Sequence, residues 1–346
     1  MLEVNSNVSK NGVATITLNR PKALNSININ MVRIIHSLLK EWENNNEVKL
    51  IVMEGEGERA FCAGGDIKSL YDAQNNEEVK MGAINFFEEE YKLDAYIDEY
   101  SKPIIVDLSG IVMGGGVGLS YGADFRIVSE KTMWAMPEMN LGFFPDVGAG
   151  YFLNKAKNNY GRYLALTGKT INGADAKLVN AADYIIPSNK INEILDLIKI
   201  KNWLDVDVNK ELKILLDNNE DESIIKSELL MNEKSILSHF KYDTVEKIIE
   251  SLESDPSEFA NQTKKEMLGM SPVSLKVALK QLIVCENKSL VDCLAIDNIL
   301  AKNFMNHADF YEGIRSVLID KDRMPNYKYK VLSDVSEELV DSFFTK

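Results

Sequence analysis

Short apolar runs alternate with amphipathic segments over the first half of the chain. Runs rich in β-branched and other apolar residues predict strands at residues 13–18, 50–53, 104–108, 125–128 and 133–136. Apolar residues spaced three and four apart predict helices at residues 31–42, 86–100 and 117–121. Because strands and helices alternate, this part is predicted to be an α/β domain with parallel strand pairing and right-handed crossovers.

Beyond residue 190 the pattern changes to acidic, amphipathic segments with few strand signals. These segments predict helices at residues 191–200, 212–216, 223–237, 245–252, 271–283, 290–304 and 310–319. Ser271 and Pro272 suit the cap and the first turn of one of them. The sequence therefore predicts a core over residues 1–200 and a helical region over residues 201–346 that packs on it.

Charge and cysteine usage exclude several classes of partner. The 346-residue chain has 39 basic and 53 acidic residues, a formal net charge of −14. A protein that binds nucleic-acid backbones needs a basic face, so no nucleic-acid partner is expected.

Cys62, Cys285 and Cys293 form no CxxC pair, which predicts reduced thiols. No apolar run approaches the roughly 20 residues of a membrane helix, so no membrane partner is expected. The sequence leaves open whether the chain forms a homo-oligomer.

Targeting signals are not visible at either end of the sequence. Residues 1–5 form neither an apolar signal core nor an Arg-rich presequence, and residues 344–346 are not a peroxisomal tripeptide. Taken as given, the chain is expected to stay in the compartment that makes it, the cytoplasm, unless an upstream segment is missing.

Two carboxylates, Glu138 and Asp146, stand in a largely apolar segment with prolines and glycines, residues 136–150. A carboxylate removed from water costs free energy unless a partner compensates it or its pKa rises. Two such groups in one turn-rich segment favour acid/base or nucleophilic chemistry. The structural alternative is a pair of acids on a surface loop.

Two glycine-rich turns precede the acids. One spans residues 60–67 and contains Gly65, and the other spans residues 110–118 and contains Gly115. Glycine has no Cβ, so its backbone N–H can approach a ligand, and N–H groups from two turns can bind one oxygen as an oxyanion hole. The structural alternative is ordinary strand-to-helix turns. Neither turn matches a phosphate loop or a dinucleotide-binding motif.

The two turns, their spacing and the segment Met136-Pro137-Glu138 resemble the crotonase (enoyl-CoA hydratase/isomerase) superfamily. The resemblance extends over nearly the whole chain. It implies an α/β fold, a crotonase-like spiral of ββα units with a helical C-terminal region. It also implies that the N–H groups of Gly65 and Gly115 bind the thioester carbonyl of an acyl-CoA substrate. No cofactor is implied, because CoA is part of that substrate.

One branch of the superfamily is favoured by residues 118 and 146. Hydratases carry a glutamate where this chain has Gly118, and they usually carry a glycine where it has Asp146. This exchange, with segments 86–91, 135–148, 270–276 and 317–322, resembles the 3-hydroxyisobutyryl-CoA hydrolase family. The resemblance implies hydrolysis of the thioester of 3-hydroxyisobutyryl-CoA, and of 3-hydroxypropionyl-CoA as a second candidate, as in valine degradation. It also implies a mitochondrial location.

The same resemblance implies roles for individual side chains. Glu138 either attacks the carbonyl to give a transient anhydride or acts as a base for water, and the sequence does not choose between these routes. Asp146 orients water and the substrate hydroxyl, or keeps Glu138 correctly protonated. Glu90 lies in the substrate pocket. Family members commonly carry three glycines where Ala149 interrupts the run here, and its effect on activity is open.

Two other functions stay open. The first is an enoyl-CoA hydratase or isomerase, which Gly118 opposes. The second is a crotonase-fold assembly component without turnover, which the retained acids and glycine turns oppose.

The remaining candidate residues are expected to be structural. His36, His239 and His307 show no metal-ligand spacing, so no metal site is expected. Cys62 has no nearby histidine motif and is expected to be a packing residue.

Two basic residues have an open role. They either bind CoA phosphates or are ordinary surface charges, and they are Arg315 and Lys321.

Overall fold

Nine strands form two sheets in the part of the chain that the computed structural model describes, residues 2–345. The strands are β1 (Val4–Val8), β2 (Val13–Leu18), β3 (Leu50–Gly55), β4 (Ala60–Cys62), β5 (Ile104–Asp107), β6 (Ile111–Met113), β7 (Phe125–Val128), β8 (Met133–Ala135) and β9 (Tyr184–Ile185). The larger sheet has the order β1-β2-β3-β5-β7-β9, and the smaller has the order β4-β6-β8.

Strand pairing in the larger sheet is parallel except at one edge. β1 runs antiparallel to β2, while β2, β3, β5, β7 and β9 pair in parallel. Parallel sheets need both faces covered, and the first four residues of β3 and the first three of β5 are accordingly buried and apolar. The prediction of an α/β domain with parallel pairing is confirmed.

Helices account for most of the remaining chain. The α-helices are Ile29–Glu43, Glu77–Asp98, Gly115–Tyr121, Ala149–Phe152, Tyr160–Thr167, Gly173–Leu178, Ser188–Ile200, Val208–Asp217, Glu228–Met231, Glu233–His239, Val245–Glu253, Glu258–Leu268, Pro272–Cys285, Leu290–Phe304, Ala308–Ile314 and Glu337–Ser342. The 3₁₀ segments are Pro21–Ala23, Ile67–Gln74, Glu138–Leu141, Leu153–Lys155, Glu222–Ile224 and Leu332–Asp334, and a π-helical turn spans Arg315–Ile319.

Contacts between residues group the chain into two compact units that are interleaved in sequence. The first unit comprises Met1–Gly65, Lys92–Trp134 and Ile171–Glu228, and the second comprises Asp66–Tyr91, Ala135–Thr170 and Leu229–Lys346. The predicted division into a core of residues 1–200 and a helical region of residues 201–346 is a different way of dividing the chain from these two units. It stays a prediction.

Each unit has its own apolar interior. In the first, the parallel sheet packs on the helices Ser188–Ile200 and Val208–Asp217, and Trp203 is fully buried in that cluster. In the second, buried phenylalanine rings pack with centroids 4.5–5.6 Å apart, and these are Phe87, Phe143, Phe144, Phe304 and Phe310. This aromatic cluster surrounds part of the acidic segment.

Several element boundaries differ from the sequence predictions for identifiable reasons. The helix expected from residue 86 begins at Glu77, because the Asn76 side chain accepts hydrogen bonds from the N–H groups of Glu78 and Val79 and so caps the helix. The single helix expected over residues 223–237 is wrong. A 3₁₀ turn and two short helices replace it.

Candidate active site

The two glycine-rich turns lie against each other in the first unit. β4 ends at Cys62 and pairs in parallel with β6, which ends at Met113, so both turns leave the same edge of the small sheet. The helix Gly115–Tyr121 then packs on the first turn. A Cβ on Gly116 would lie 2.4 Å from the Cys62 carbonyl oxygen, so only glycine fits. This contact fixes the relation between the turns.

The predicted oxyanion donors occupy these adjoining turns. A Cβ on Gly64 would lie 3.6 Å from the Gly115 nitrogen, which shows how closely the turns approach. Gly65 forms a parallel bridge with Ile27, and Gly115 is the first residue of its helix. N–H groups at a helix start have no acceptor in a preceding turn. That Gly65 and Gly115 bind a carbonyl oxygen stays a prediction.

Glu138 is a buried acid at the start of a 3₁₀ turn in the second unit. It follows Pro137 and begins the segment Glu138–Leu141. Its side chain is 8% exposed, and its Oε2 has no hydrogen-bond partner among the described residues. Burial raises the pKa of Glu138 well above its ordinary value, and the charge of Asp146 raises it further. The expectation of a poorly solvated acid is therefore confirmed, and the surface-loop alternative is wrong.

Asp146 is the second buried acid, and it has a specific partner. Its side chain is 5% exposed, and its Oδ2 accepts a hydrogen bond from the Tyr91 hydroxyl at 2.7 Å. Burial raises the pKa of Asp146 to about 7, while the hydrogen bond from Tyr91 acts in the opposite direction. Asp146 and Glu138 thus oppose each other's ionisation, so the pair favours holding one proton near neutral pH.

The backbone after Asp146 is strained. Val147 has φ of +51°, which β-branched residues rarely adopt, and such conformations typically cost about 1–3 kcal/mol. Gly148 follows with φ of +84°, a conformation that glycine adopts without steric strain. Ala149 begins a helix with an ordinary backbone, and its N–H donates to the Asp146 carbonyl oxygen at 2.9 Å. The Ala149 methyl therefore fits here without backbone strain.

The helix Glu77–Asp98 supplies two further buried polar side chains. Glu90 is 2% exposed and Tyr91 is 4% exposed, whereas Glu88 and Glu89 are half-buried. Glu88 forms an ion pair with Lys302 at 2.5 Å. Glu90 is therefore the buried acid of the run 88–90. A role for Glu90 in binding substrate stays a prediction.

Three polar residues around Asp146 were missed by sequence reasoning: Tyr91, Gln281 and Asp297. Tyr91 follows Glu90 directly in the chain. Gln281 and Asp297 lie on the largely buried helices Pro272–Cys285 and Leu290–Phe304, where they are 1% and 0% exposed. A single polar residue on an apolar helix face was the signal that could have found them, because buried polar groups need partners.

The structure gives the three histidines ordinary structural surroundings. His36 packs on the Tyr96 ring with centroids 5.0 Å apart. His239 hydrogen-bonds Ser251 at 2.8 Å and Asp255 at 3.0 Å. His307 accepts from the Asp309 N–H at 3.3 Å and caps a helix.

Cys62 and Arg315 also have structural partners. Cys62 is buried, and its sulfur accepts from the Gly64 N–H at 3.4 Å. Arg315 pairs with Glu312, Asp320 and Asp322 at 2.7–2.8 Å, an arrangement expected of surface charges.

The described residues show neither a metal-binding cluster nor a single membrane-spanning helix. Residues 2–345 contain no group of three or more His, Cys, Asp or Glu side chains arranged to hold a metal ion. Over the same residues, no single helix has the length and apolar character to cross a membrane. One pair, Glu258–Leu268 and Pro272–Cys285, meets those criteria only when its two helices are taken together, and it is bent by 108°.

A family model described as enoyl-CoA hydratase/isomerase matches residues 13–344. The chain belongs to the enoyl-CoA hydratase/isomerase family. Solved structures of this family share its fold. A carnitinyl-CoA dehydratase from Mycobacterium thermoresistibile has a TM-score of 0.91 and 33% identity, and the match covers 99% of this chain and 96% of that one. An enoyl-CoA hydratase from Rhodobacter sphaeroides has a TM-score of 0.89 and 30% identity, with 99% and 97% covered. The predicted crotonase-like fold is confirmed.

Curated relatives within the enoyl-CoA hydratase/isomerase family are more similar in sequence. The protein named "3-hydroxyisobutyryl-CoA hydrolase, mitochondrial" from Danio rerio is 41% identical over 343 residues, which are 98% of this chain and 88% of the relative. The protein of the same name from Homo sapiens is 41% identical over 340 residues, 97% and 86% of the two chains. The solved structures carry names for other reactions, so the fold alone does not decide the chemistry.

Proposed function

We propose that the chain hydrolyses the thioester of 3-hydroxyisobutyryl-CoA to free CoA and the hydroxy acid, and that it also accepts 3-hydroxypropionyl-CoA. The observation that carries the proposal is the buried acid pair Glu138 and Asp146, combined with Gly118. Gly118 has no side chain, so it cannot supply the second acid that hydratases of the family use at that position. The names of the curated relatives support the same reaction.

The acid pair suits thioester hydrolysis because its members differ in how they hold a proton. Tyr91 hydrogen-bonds Asp146 and so favours the Asp146 carboxylate. Glu138, with an unpartnered Oε2 among the described residues, favours the neutral form. Moving the proton from Glu138 to Asp146 would create a poorly solvated, reactive Glu138 carboxylate next to a proton donor. Pairs of carboxyls with separated pKa values commonly divide acid and base roles in this way.

Two routes use this pair and reach the same products. In the first, a Glu138 oxygen forms a bond to the thioester carbonyl carbon, the C–S bond breaks, and the thiolate takes the proton from Asp146. Water then cleaves the resulting anhydride and regenerates both acids. In the second, the Glu138 carboxylate takes a proton from a water molecule that attacks the carbonyl carbon directly, the C–S bond breaks, and the thiolate takes the proton from Asp146. Either route converts one thioester and one water into one acid and one thiol.

Negative charge develops on the carbonyl oxygen in both routes. We assign its stabilisation to the backbone N–H groups of Gly65 and Gly115, with Glu90 binding the acyl hydroxyl. Loss of one such donor typically lowers the rate about 100–1,000-fold. Hydroxylamine separates the two routes, because it traps an anhydride as a Glu138 hydroxamate that peptide mass spectrometry detects. The direct-water route leaves Glu138 unmodified.

A panel of acyl-CoA substrates tests the proposed specificity. We expect kcat/KM for CoA release to be highest with 3-hydroxyisobutyryl-CoA and to fall by about 10–200-fold when one methyl is removed or added, as is usual for apolar pockets. Isobutyryl-CoA, which lacks the hydroxyl, should be a much poorer substrate. Equal kcat/KM for isobutyryl-CoA and its 3-hydroxy derivative would contradict the assignment.

A mitochondrial location in the pathway of valine degradation follows from the same proposal. The support is the word "mitochondrial" in the names of the relatives, and cytoplasm is the alternative. Immunodetection of the native protein in purified mitochondrial and cytosolic fractions decides between them.

A further inference from the structure

The turn that carries Asp146 is held at both ends by two side chains from distant parts of the chain. Gln281 Nε2 donates to the Pro145 carbonyl oxygen at 2.9 Å, and Asp297 Oδ2 accepts from the Gly148 N–H at 2.8 Å. Gln281 Nε2 also donates to Asp297 Oδ1 at 2.7 Å. The two side chains therefore form a continuous hydrogen-bonded link across the turn, which we call the 281–297 clamp.

Burial makes this clamp difficult to explain by stability alone. Gln281 and Asp297 are essentially inaccessible to water. A buried charged or amide group costs free energy to desolvate, and well-packed apolar residues often serve stability as well or better. Burial raises the pKa of Asp297 well above its ordinary value, the Gly148 N–H opposes that rise, and the charge of Asp146 adds to it. A second buried carboxyl group therefore lies close enough to Asp146 for the Asp146 charge to oppose its ionisation.

The clamp holds a backbone that would otherwise relax. Val147, at φ of +51°, lies between the two clamped peptide groups. Strained residues of this kind persist where the surrounding contacts over-determine the local geometry, and they concentrate at functional sites. The clamp fixes the peptide before Asp146 and the peptide after Val147, so it sets the direction in which the Asp146 side chain leaves the backbone.

We infer that Gln281 and Asp297 are positioning residues for the hydrolysis, because their link holds residues 145–148 in the conformation that orients the Asp146 carboxylate. This inference rests on the proposed function. Both residues act through Asp146, whose other titratable neighbours are Tyr91 and Glu138, with Glu90 beside Tyr91.

The test compares variants of the clamp with a matched buried acid elsewhere. Asp297→Asn keeps the shape of the side chain but leaves one acceptor oxygen for two donors, the Gly148 N–H and Gln281 Nε2. Gln281→Leu removes the amide group that links Asp297 to the Pro145 carbonyl oxygen. The control is Asp175→Asn, because Asp175 is 1% exposed and accepts bonds from Ser227 and Glu228 in the first unit. We expect the clamp variants to lose about 10–100-fold in kcat per folded molecule with KM changed less than about twofold.

Two readouts separate positioning from a merely structural role. Activity at low pH should be lost at a lower midpoint in Asp297→Asn than in the wild type, because a loosened turn rehydrates Asp146, whose pKa is raised mainly by burial. The double variant should also be no slower than the slower single variant, since both changes release the same turn. An unchanged midpoint, or kcat losses that multiply, would overturn the inference.

Amide exchange keeps this test separate from the proposed function. If the wild type hydrolyses none of the acyl-CoA panel, the proposed function fails, and the clamp is judged by exchange alone. The Ala149 N–H closes the turn by donating to the Asp146 carbonyl oxygen. Its exchange should be at least about tenfold faster in Asp297→Asn and unchanged in Asp175→Asn at equal global stability. Unchanged Ala149 exchange in Asp297→Asn would show that the clamp does not hold the turn.

Discussion

Tyr91 donates its phenolic hydrogen to Asp146 Oδ2 across 2.7 Å, and both side chains are buried. Burial is the largest cause that raises the pKa of Asp146, and the Tyr91 hydrogen bond is the largest opposing one. The tyrosine therefore favours ionisation of Asp146 over that of Glu138. It lies directly after Glu90 on the helix Glu77–Asp98, and both side chains are buried.

Tyr91→Phe should move the acid limb of the pH–rate profile to higher pH. A hydrogen bond to the charged form lowers an acid's pKa, so its removal raises the pKa of Asp146. A bond to a charged group contributes about 1.5–3 kcal/mol, which corresponds to about one to two pH units. The measurement is kcat/KM for CoA release from pH 5 to 9. Tyr96→Phe is the matched control, since Tyr96 on the same helix also donates to a carboxylate, Glu43 Oε2 at 2.5 Å. A midpoint that moves equally in both variants would contradict the role of Tyr91.

Glu138→Gln and Asp146→Asn should each remove turnover while the fold is kept. Acid/base groups contribute about 100–10,000-fold to rate, and both amides preserve the shape of the side chain they replace. CoA release is measured with Ellman's reagent, and folding is followed by circular dichroism. Glu89→Gln, on the half-buried part of the acidic run, should retain activity within about twofold, because Glu89 lies outside the proposed machinery. Turnover like that of the wild type in either site variant would exclude the assigned roles.

Folding stability should fall as pH rises through the acid range, and Asp146→Asn should reduce that fall. The folded-state pKa of Asp146 is raised from 3.8 to about 7, so the native state binds more protons than the unfolded state between these values. The corresponding slope is about −1.4 kcal/mol per pH unit for one proton. Urea unfolding at pH 5, 6 and 7 measures the slope for both proteins. Equal slopes would mean that the Asp146 carboxyl titrates normally in the folded state.

Gly116→Ala should damage the site, whereas Gly82→Ala should not. A Cβ on Gly116 would lie 2.4 Å from the Cys62 carbonyl oxygen and force the two glycine turns apart. Such overpacking typically costs about 1–3 kcal/mol in stability. If the turns form the oxyanion hole, kcat should also fall by about 100-fold or more.

Gly82 is the matched control for that substitution. It lies in the helix Glu77–Asp98, and a Cβ there would meet nothing within 4 Å. Gly82→Ala should stabilise the protein by about 0.4–1 kcal/mol through helix propensity. Chemical denaturation and steady-state kinetics of both variants provide the measurement. Full activity in Gly116→Ala would separate the turns from catalysis.

Local sequence patterns predicted the parts of the fold that local physics controls. β2 is rich in β-branched residues, β3 begins with four apolar residues, and the helix Leu290–Phe304 has clear periodicity and a Ser289 cap. β4 and β6 have three residues each, which is too short for a periodic signal in the sequence. They pair only because the chain returns to the smaller sheet. β9, with two residues, is defined wholly by its neighbour β7.

The candidate site shows the same division. Glu138 and Asp146 could be found because acids in apolar, turn-rich sequence are unusual, and their burial is confirmed. Gln281 and Asp297 are 136 and 149 residues away from the peptide groups they bind, and no local pattern connects them to the Asp146 turn. Tertiary packing alone brings them there.

The most direct measurement offers the purified wild-type protein 3-hydroxyisobutyryl-CoA and crotonyl-CoA in parallel. Free thiol release is followed for the first substrate and loss of enoyl absorbance for the second. With Asp146 present and no acid at Gly118, thiol release should exceed hydration by at least about 1,000-fold in kcat/KM, corresponding to about 4 kcal/mol. Rapid hydration of crotonyl-CoA without thiol release from 3-hydroxyisobutyryl-CoA would contradict the assignment of a thioester hydrolase.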